Sequence, residues 1–209
     1  MSVSENQDLR YGILRPRTRD CIPAKDKGNC EASGPFYRCD WSSTKVGGYL
    51  TNLEKDYELI AKRQPLFEKS STKNVRYELD DVFYSFWFRF IFKYSYILEI
   101  ENYSKLQDII LRDYNTFSGL MLERYFHRVA IESGKYTRIG RWWDRRGENE
   151  IDMIAEDELS DKAEFFEIKR QKEEISINVL KQRAEAFLRA TYEFRGYSFS
   201  YIGLSMSDM

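Results

Sequence analysis

The sequence predicts a mixed α/β fold of the order α-β-β-β-α-β in its C-terminal half. Three observations predict it. A long amphipathic segment carries Glu123, an apolar extended run begins with Glu150-Ile151-Asp152, and the next extended run holds Glu167 and Lys169 two residues apart. Acids at the ends of neighbouring strands, with a lysine two positions after one of them, are typical of a divalent-metal nuclease site.

The predicted elements follow one another with short turns. The first helix begins near Asp113, and strands are predicted at 136–143, 150–155 and 163–170, with Gly147 as the hinge of the first turn. An amphipathic helix follows, ended by Gly196, and 197–206 is the last strand. The apolar positions that predict the two helices are Phe117, Leu122, Tyr125, Phe126 and Val129 in the first, and Ile177, Leu180, Ala184, Phe187 and Thr191 in the second.

The sequence pattern at residues 43–81 predicts a partial winged helix. Ser43 or Thr44 can cap a helix with apolar positions at Leu50, Leu53, Tyr57 and Ile60, and two strand-like stretches, 59–67 and 75–79, enclose a charged turn at 68–74. Between positions 45 and 76 there are seven basic and four acidic residues. The excess fits contacts with the DNA backbone, and it fits equally a small packing module with a solvated face. The residues expected to bind nucleic acid are Lys45, Lys62, Arg63, Lys73 and, in the later turn, Arg145 and Arg146.

Residues 82–112 are predicted to form a helical connector, whose aromatic part, 82–94, is a buried helix capped by Asp80 or Asp81, with a separate short helix at 102–112. Residues 113–209 form the nuclease-like domain. Residues 1–42 show no apolar periodicity and hold three of the four prolines, so they are expected to be an irregular, disordered tail.

The composition of the chain excludes several classes of protein. A chain of 209 residues with 16% aromatic and 32% charged residues and a formal net charge of −1 describes a globular protein rather than a basic nucleic-acid coat. The longest apolar run, 82–92, is too short for a membrane span, and the N-terminus is not a signal peptide, so a cytoplasmic protein without membrane contact is expected. Cys21, Cys30 and Cys39 lack a C-x-x-C pair, which favours unpaired thiols over a zinc site.

The expected chemistry depends on four side chains. Asp152 and Glu167 offer hard oxygen ligands to Mg²⁺ or Mn²⁺, Glu123 completes the metal shell, and Lys169 orients or deprotonates a water or stabilises the phosphorane charge. His127 lies one helical turn after Glu123, a position that suits a surface ion pair better than a ligand.

Further along the chain, the Trp142-Trp143 pair with its neighbouring arginines could clamp a nucleic-acid strand. More often such a pair has one ring in the core and one at an interface. Lys181, Gln182 and Arg183 similarly suit either phosphate contacts or a polar helix face.

These residues resemble a known family. Residues 45–206 are similar to the C-terminal region of the archaeal-type P-loop ATPases, in which a winged helix precedes a domain of the PD-(D/E)XK nuclease clan. The stretches that carry the resemblance are Val46-Gly47-Gly48-Tyr49-Leu50, Tyr77-Glu78-Leu79-Asp80-Asp81, Phe86-Trp87-Phe88-Arg89-Phe90-Ile91, Phe117-Ser118-Gly119-Leu120-Met121-Leu122-Glu123, Ile139-Gly140-Arg141-Trp142-Trp143, Glu150-Ile151-Asp152 and Glu167-Ile168-Lys169.

The resemblance implies a restriction-endonuclease-like core and a metal-dependent endodeoxyribonuclease with catalytic positions at Asp152, Glu167 and Lys169. The alternative is a non-catalytic DNA-binding, regulatory or interaction module of an ATPase system. Because G-x-x-x-x-G-K-[ST] is absent from the sequence, no ATPase activity is expected, and an ATPase module encoded separately is the expected partner. We therefore expect the chain to be a fragment of a split or frame-shifted gene.

Overall fold

The computed structural model describes residues 43–68, 74–191 and 193–209, with side chains from residue 46 onward. The predicted irregular tail at 1–42, with its three cysteines, and most of the predicted charged turn lie outside these ranges.

Within them the fold is mixed α/β. Its helices are α1 (Ser43–Lys55), α2 (Val82–Phe86), α3 (Ser95–Glu99), α4 (Tyr103–Glu132) and α5 (Ile177–Ala190), and its strands are β1 (Ile60–Arg63), β2 (Arg76–Leu79), β3 (Arg138–Trp143), β4 (Glu150–Asp157), β5 (Lys162–Ile168) and β6 (Ser198–Leu204).

The N-terminal elements form a helix followed by a two-stranded antiparallel sheet, in which Ile60 lies opposite Leu79 and Arg63 opposite Arg76. The predicted helix-strand-strand order is therefore present. The helix is shorter than its apolar pattern indicated, because it ends at Lys55 and Ile60 already belongs to β1. Tyr57, predicted to lie on the apolar helix face, is exposed between the two elements.

The connector is helical but not buried, which corrects the prediction. Asp81 caps α2 as expected, its carboxylate accepting the N–H of Tyr84 at 2.9 Å. A π-helical turn (Trp87–Ile91) and a 3₁₀ turn (Phe92–Tyr94) continue the segment into α3. Only one side of it packs inward, where Phe86 and Phe90 contact Phe117 of α4. The rings of Phe83, Tyr84, Trp87, Phe88 and Phe92 remain exposed.

The two helices predicted on either side of Asp113 are one 30-residue helix, α4. Asn102 caps it by accepting the N–H of Lys105 at 3.2 Å, and no glycine or proline interrupts it before Gly119. Gly119 does not end the helix, because a single glycine in the interior of a long helix costs only about 1 kcal/mol relative to alanine. Of the predicted apolar side, Tyr125 and Val129 are exposed, while Leu120 and Ala130 are buried instead.

The C-terminal half contains a four-stranded sheet of order β3-β4-β5-β6, antiparallel except for the parallel pair β5 and β6. One face packs on α4 through Leu122, Phe126 and Ala130. The other packs on α5 through Leu180, Ala184 and Phe187. The predicted α-β-β-β-α-β order is thus observed as a sheet between two helical layers.

Helix α5 ends at Ala190 rather than at Gly196 as predicted. The backbone becomes extended at Thr191, and Phe194 then enters the core against Phe67 and Phe187. Gly196, at φ +87°, lies in the turn that leads to β6. Burying Phe194 requires the chain to leave the helix early, so core packing ends α5 before the glycine does.

Candidate active site

The candidate site lies where β4 and β5 separate. Pairing between the two strands ends at Met153 and Phe166, whereas β5 continues beside β6 as far as Ile168 and Leu204. The β3–β4 register also shifts here, with two residues of β4 opposite Arg141 between Gly140 and Trp142. Such a bulge redirects the side chain that it carries. Asp152 occupies this position, and its Oδ2 accepts the N–H of Ile168 at 2.8 Å.

Lys169 places its ammonium group among three oxygens. Its Nζ lies 3.0 Å from Oδ2 of Asp152, 3.0 Å from Oε1 of Glu167 and 3.3 Å from the carbonyl oxygen of Ile168. Strand β5 ends at Ile168, so Lys169 lies one residue past the strand in which it was predicted. Its stem can turn back over the separated strands, and the predicted trio of Asp152, Glu167 and Lys169 therefore meets around one point.

The three charges are partly enclosed. Asp152 and Glu167 are buried, and 20% of the Lys169 side chain remains exposed. Burial alone would lower the pKa of Lys169, but the charges of Asp152 and Glu167 and their hydrogen bonds outweigh it and raise that pKa. Lys169 is consequently an ammonium cation at neutral pH.

Glu167 has a second cationic partner that the sequence did not single out as part of the site. Nη1 of Arg183, on α5, lies 3.1 Å from Oε2 of Glu167. The predicted alternatives for Arg183 were a phosphate contact or a polar helix face. In the structure it turns toward the sheet instead and fixes the orientation of the Glu167 carboxylate.

Glu123 lies near these residues, but its carboxyl group contacts Arg141. Its Oε2 is 3.2 Å from Nη2 of Arg141. Burial and the negative charge of Asp152 raise the pKa of Glu123 to about 8, against the opposing effect of Arg141. At neutral pH Glu123 therefore favours its uncharged form and accepts a hydrogen bond from Arg141.

Arg141 connects the site to the N-terminal strands. Nη1 lies 3.0 Å from Oε1 of Glu78 on β2, and Nη2 lies 3.3 Å from Oε1 of Glu150 on β4. Glu150 is also paired with Arg76 of β2 at 2.7 Å. The backbone N–H of Leu66 donates to the carbonyl oxygen of Arg141 at 2.8 Å. The contacts with Leu66, Arg76 and Glu78 join residues 63 to 75 positions apart, so periodicity within an element could not reveal them.

His127 lies on the same helix as Glu123. Burial and the positive charges of Arg141 and Arg63 lower its pKa, and only Glu78 opposes them. It is therefore neutral at pH 7, surrounded more by cations than by acids. This differs from the surface ion pair that its spacing suggested.

The described residues among those predicted to contact nucleic acid lie in two separate places, on β1 and on the turn between β3 and β4. Lys62 and Arg63 are exposed on β1, and Arg63 pairs with Asp80 at 2.7 Å. Arg145 and Arg146 are exposed on the turn between β3 and β4, at the sheet end where the site lies. The side chain of Lys45 and the whole of Lys73 fall outside the described residues.

The tryptophan pair is buried rather than available as a clamp. Trp142 packs on Phe187 in the α5 layer. Trp143 is 2% exposed, with the guanidinium of Arg76 at 4.3 Å from its ring centroid and its Nε1–H donated to Asn74. Both rings are therefore in the protein interior, and neither can stack on a nucleic-acid strand.

The oxygen atoms of the site suit a hard divalent cation, but only two of the three predicted acids lie together. Two buried carboxylates and a backbone carbonyl oxygen already surround a positive charge, and oxygen is the ligand that Mg²⁺ prefers. The three-acid shell is not assembled. Across residues 43–68, 74–191 and 193–209, no three acidic, histidine or cysteine side chains are grouped to hold a metal ion. Asp152 and Glu167 are therefore the residues that could bind one.

Comparison with known proteins places the chain in a family. Residues 87–193 match DUF234, described as archaeal and bacterial proteins of unknown function. This match covers half of the chain, and the chain belongs to that family. The matched range contains α4, β3, β4, β5 and α5, and with them Asp152, Glu167 and Lys169.

One relative is the Uncharacterized protein MJECL04 of Methanocaldococcus jannaschii, which is 37% identical over 128 residues. The alignment covers 58% of this chain and 28% of the relative, so the chain matches less than a third of that protein's length. No solved structure matches the chain. None of the helices in the described residues has the length and apolar character needed to cross a bilayer.

Proposed function

We propose that this chain carries a Mg²⁺- or Mn²⁺-dependent nuclease-like site that acts on DNA phosphodiesters, in a PD-(D/E)XK-type domain behind a partial winged helix. The observation that supports it best is the position of Lys169 Nζ among Asp152, Glu167 and the Ile168 carbonyl. An oxygen cage that stabilises an ammonium group can also bind a divalent cation, provided that the lysine moves aside.

Each residue has a separate role in this proposal. Asp152 and Glu167 would hold the metal, which when bound lowers the pKa of a coordinated water and offsets charge on the phosphate. Lys169, positively charged and partly exposed, orients the attacking water or stabilises the negative charge that develops on the phosphate. Because its two carboxylate contacts favour the charged form, Lys169 acts as a base only after losing one of them.

Two further residues position these groups. Arg183 holds the carboxylate of Glu167 from α5, and Arg141 holds Glu123 close enough to influence Asp152. Glu123 would support the metal through water rather than directly, since the hydrogen bond from Arg141 occupies one of its oxygens.

The test is cleavage of plasmid and linear duplex DNA by the purified chain with Mg²⁺ or Mn²⁺. Asp152→Asn and Lys169→Ala should each lower the rate by about a hundredfold or more, as expected when a group acting in the transition state is removed. The matched control is Lys162→Ala, an exposed lysine at the opposite end of β5, which should cleave like the unchanged protein. Cleavage that persists in both site variants would rule out these roles.

A second candidate function is a non-catalytic DNA-binding, regulatory or interaction module of an ATPase system, with the ATPase module encoded separately. It is favoured by the pairing of both site carboxylates with Lys169 and Arg183 and by the engagement of Glu123 with Arg141. Carboxylates neutralised in this way can serve a structural purpose only.

Salt-dependent DNA binding separates these alternatives. Contacts between exposed cations and phosphates weaken steeply with added salt, and removing two such contacts should reduce the slope by about two. Arg145→Ala combined with Arg146→Ala tests this at the turn beside the site. DNA binding with the expected slope but without cleavage would support the DNA-binding module, and neither binding nor cleavage would leave the interaction module.

A further inference from the structure

The connector between the two sheets exposes a continuous row of aromatic rings. We define the aromatic face as Phe83, Tyr84, Trp87, Phe88 and Phe92. Each of these side chains is exposed by between 40% and 63%. They contact one another in a chain, with Phe83 against both Tyr84 and Trp87, Tyr84 against Phe88, and Phe88 against Phe92, at ring-centroid distances from 5.5 to 6.4 Å.

This exposure does not result from a loosely packed segment. The opposite side of the same segment is firmly anchored, because Phe90 is fully buried and contacts Phe86 and Phe117. Helix α4 therefore holds the aromatic face outward in a fixed arrangement. Preordered rings lose little conformational entropy on binding, which favours association.

The aromatic face is also free of charge. Arg89 is the one charged residue at positions 82–92 and feels the opposite charge of Asp113 of α4, while Asp81 and Lys93 carry exposed charges at the two ends of this segment. A charged patch would repel its own copy across a two-fold axis, whereas an uncharged one is compatible with it. The chemistry of the face thus suits an identical surface.

The size of the face agrees with a dimer interface. With about 200 Å² for a whole aromatic side chain, the five rings expose roughly 500 Å². Homodimer interfaces are about 65% apolar, so an apolar area of this size corresponds to an interface of about 800 Å² per subunit, the standard size of a stable complex. Patches of this extent are at the upper end of what monomeric proteins leave uncovered.

From these observations we infer that the aromatic face is the interface through which two copies of this chain form a two-fold symmetric dimer. Each copy places its row of rings against the row of the other. The inference does not depend on the proposed nuclease chemistry, since none of the five residues belongs to the candidate site.

The test is the molar mass of the full chain, by light scattering after gel filtration and by sedimentation velocity, from about 1 to about 100 µM. A reductant excludes disulfide-linked dimers, and nuclease treatment excludes bridging by DNA. The expected result is twice the monomer mass at high concentration. It should persist at about 1 M salt, because burial of apolar surface is not screened by ions.

Phe83→Glu and Phe88→Glu place like charges across the two-fold axis and should each weaken dimerisation at least about tenfold. Both rings are exposed, so the fold should survive, which circular dichroism checks. Ile131→Glu, also exposed but near the other end of α4, is the matched control and should remain dimeric. A monomer at every concentration, or a dimer that neither Phe83→Glu nor Phe88→Glu weakens, would overturn the inference and point to another occupant of the aromatic face.

Discussion

Nη2 of Arg141 lies 3.2 Å from Oε2 of Glu123, and Arg141 joins the candidate site to the N-terminal strands. The same guanidinium also contacts Glu78 on β2 and Glu150 on β4. Three acids from three elements thus share this guanidinium, of which 14% is exposed, and two of them have further arginine partners. Arg141 therefore has both a structural role, in docking β1 and β2, and an electrostatic role at the site.

Arg141→Met should destabilise the protein by about 3 kcal/mol, because it removes the nearest cation from the buried carboxylate of Glu78 and a hydrogen-bond donor from Glu123. The loss is limited by Arg76, which still pairs with Glu150. Urea unfolding followed by fluorescence measures the change. Arg146→Met, in the exposed turn nearby, is the control and should alter stability by less than about 0.5 kcal/mol. Equal stabilities for the two variants would contradict the role assigned to Arg141.

Glu123 should make stability fall with rising pH. Its folded-state pKa is raised to about 8, above the ordinary value of 4.5, so between these values the folded state binds the proton that the unfolded state has released. Stability from this group is complete below about pH 4.5 and is lost as the pH rises toward 8, by at most about 1.4 kcal/mol per pH unit.

The measurement is the free energy of unfolding of Glu123→Gln and of the unchanged protein, from about pH 5 to about pH 8 in the presence of EDTA. The variant should become progressively the more stable of the two as the pH rises. Glu173→Gln, an exposed acid in the loop after β5, should show no such trend. A constant difference between Glu123→Gln and the unchanged protein would show that Glu123 has an ordinary pKa.

Lys169 should compete with a metal ion for the same oxygens. In Lys169→Met the carboxylates of Asp152 and Glu167 lose their shared ammonium group, so without metal the variant should be less stable by about 3 kcal/mol. Added Mn²⁺ should restore much of that stability and raise the melting temperature more than it does in the unchanged protein. Differential scanning calorimetry checks this, with Lys162→Met as control. A variant that Mn²⁺ fails to stabilise would argue against a metal site here.

Gly140 should be sensitive to the smallest substitution. A Cβ at this position would lie 2.6 Å from Cδ1 of Leu66, in the segment that follows β1. Gly140→Ala is expected to destabilise the protein by about 1–3 kcal/mol through overpacking. Leu66→Ala removes the obstructing methyl group, so the double variant should be more stable than the sum of the two single changes predicts. Additive free energies of unfolding would mean that the two residues do not contact each other.

Sequence reasoning succeeded where a pattern is local. The period of the apolar residues predicted the order of the C-terminal helices and strands, and the position of Asp81 predicted a helix cap. The two-residue spacing of Glu167 and Lys169, together with a hairpin to Asp152, predicted that these three side chains would meet. Such features depend on neighbours within a few positions, which the chain order specifies directly.

Other features could not be predicted in this way. The rings at 82–92 are buried only where α4 has a side chain that they can pack against. Phe86 and Phe90 pack against Phe117 in this way. The bulge at Asp152, the turn of Arg183 toward Glu167 and the three acid contacts of Arg141 likewise depend on how separate helices and strands pack against one another.

The amino-acid order by itself determined the type and order of the C-terminal helices and strands, because backbone preference and apolar period act over a few residues, whereas core packing decided where α5 ends. The tertiary structure alone decided which charges neutralise one another and which aromatic rings remain exposed. Those outcomes depend on distance through space, since Coulomb energy and apolar burial are set by the groups that packing brings together.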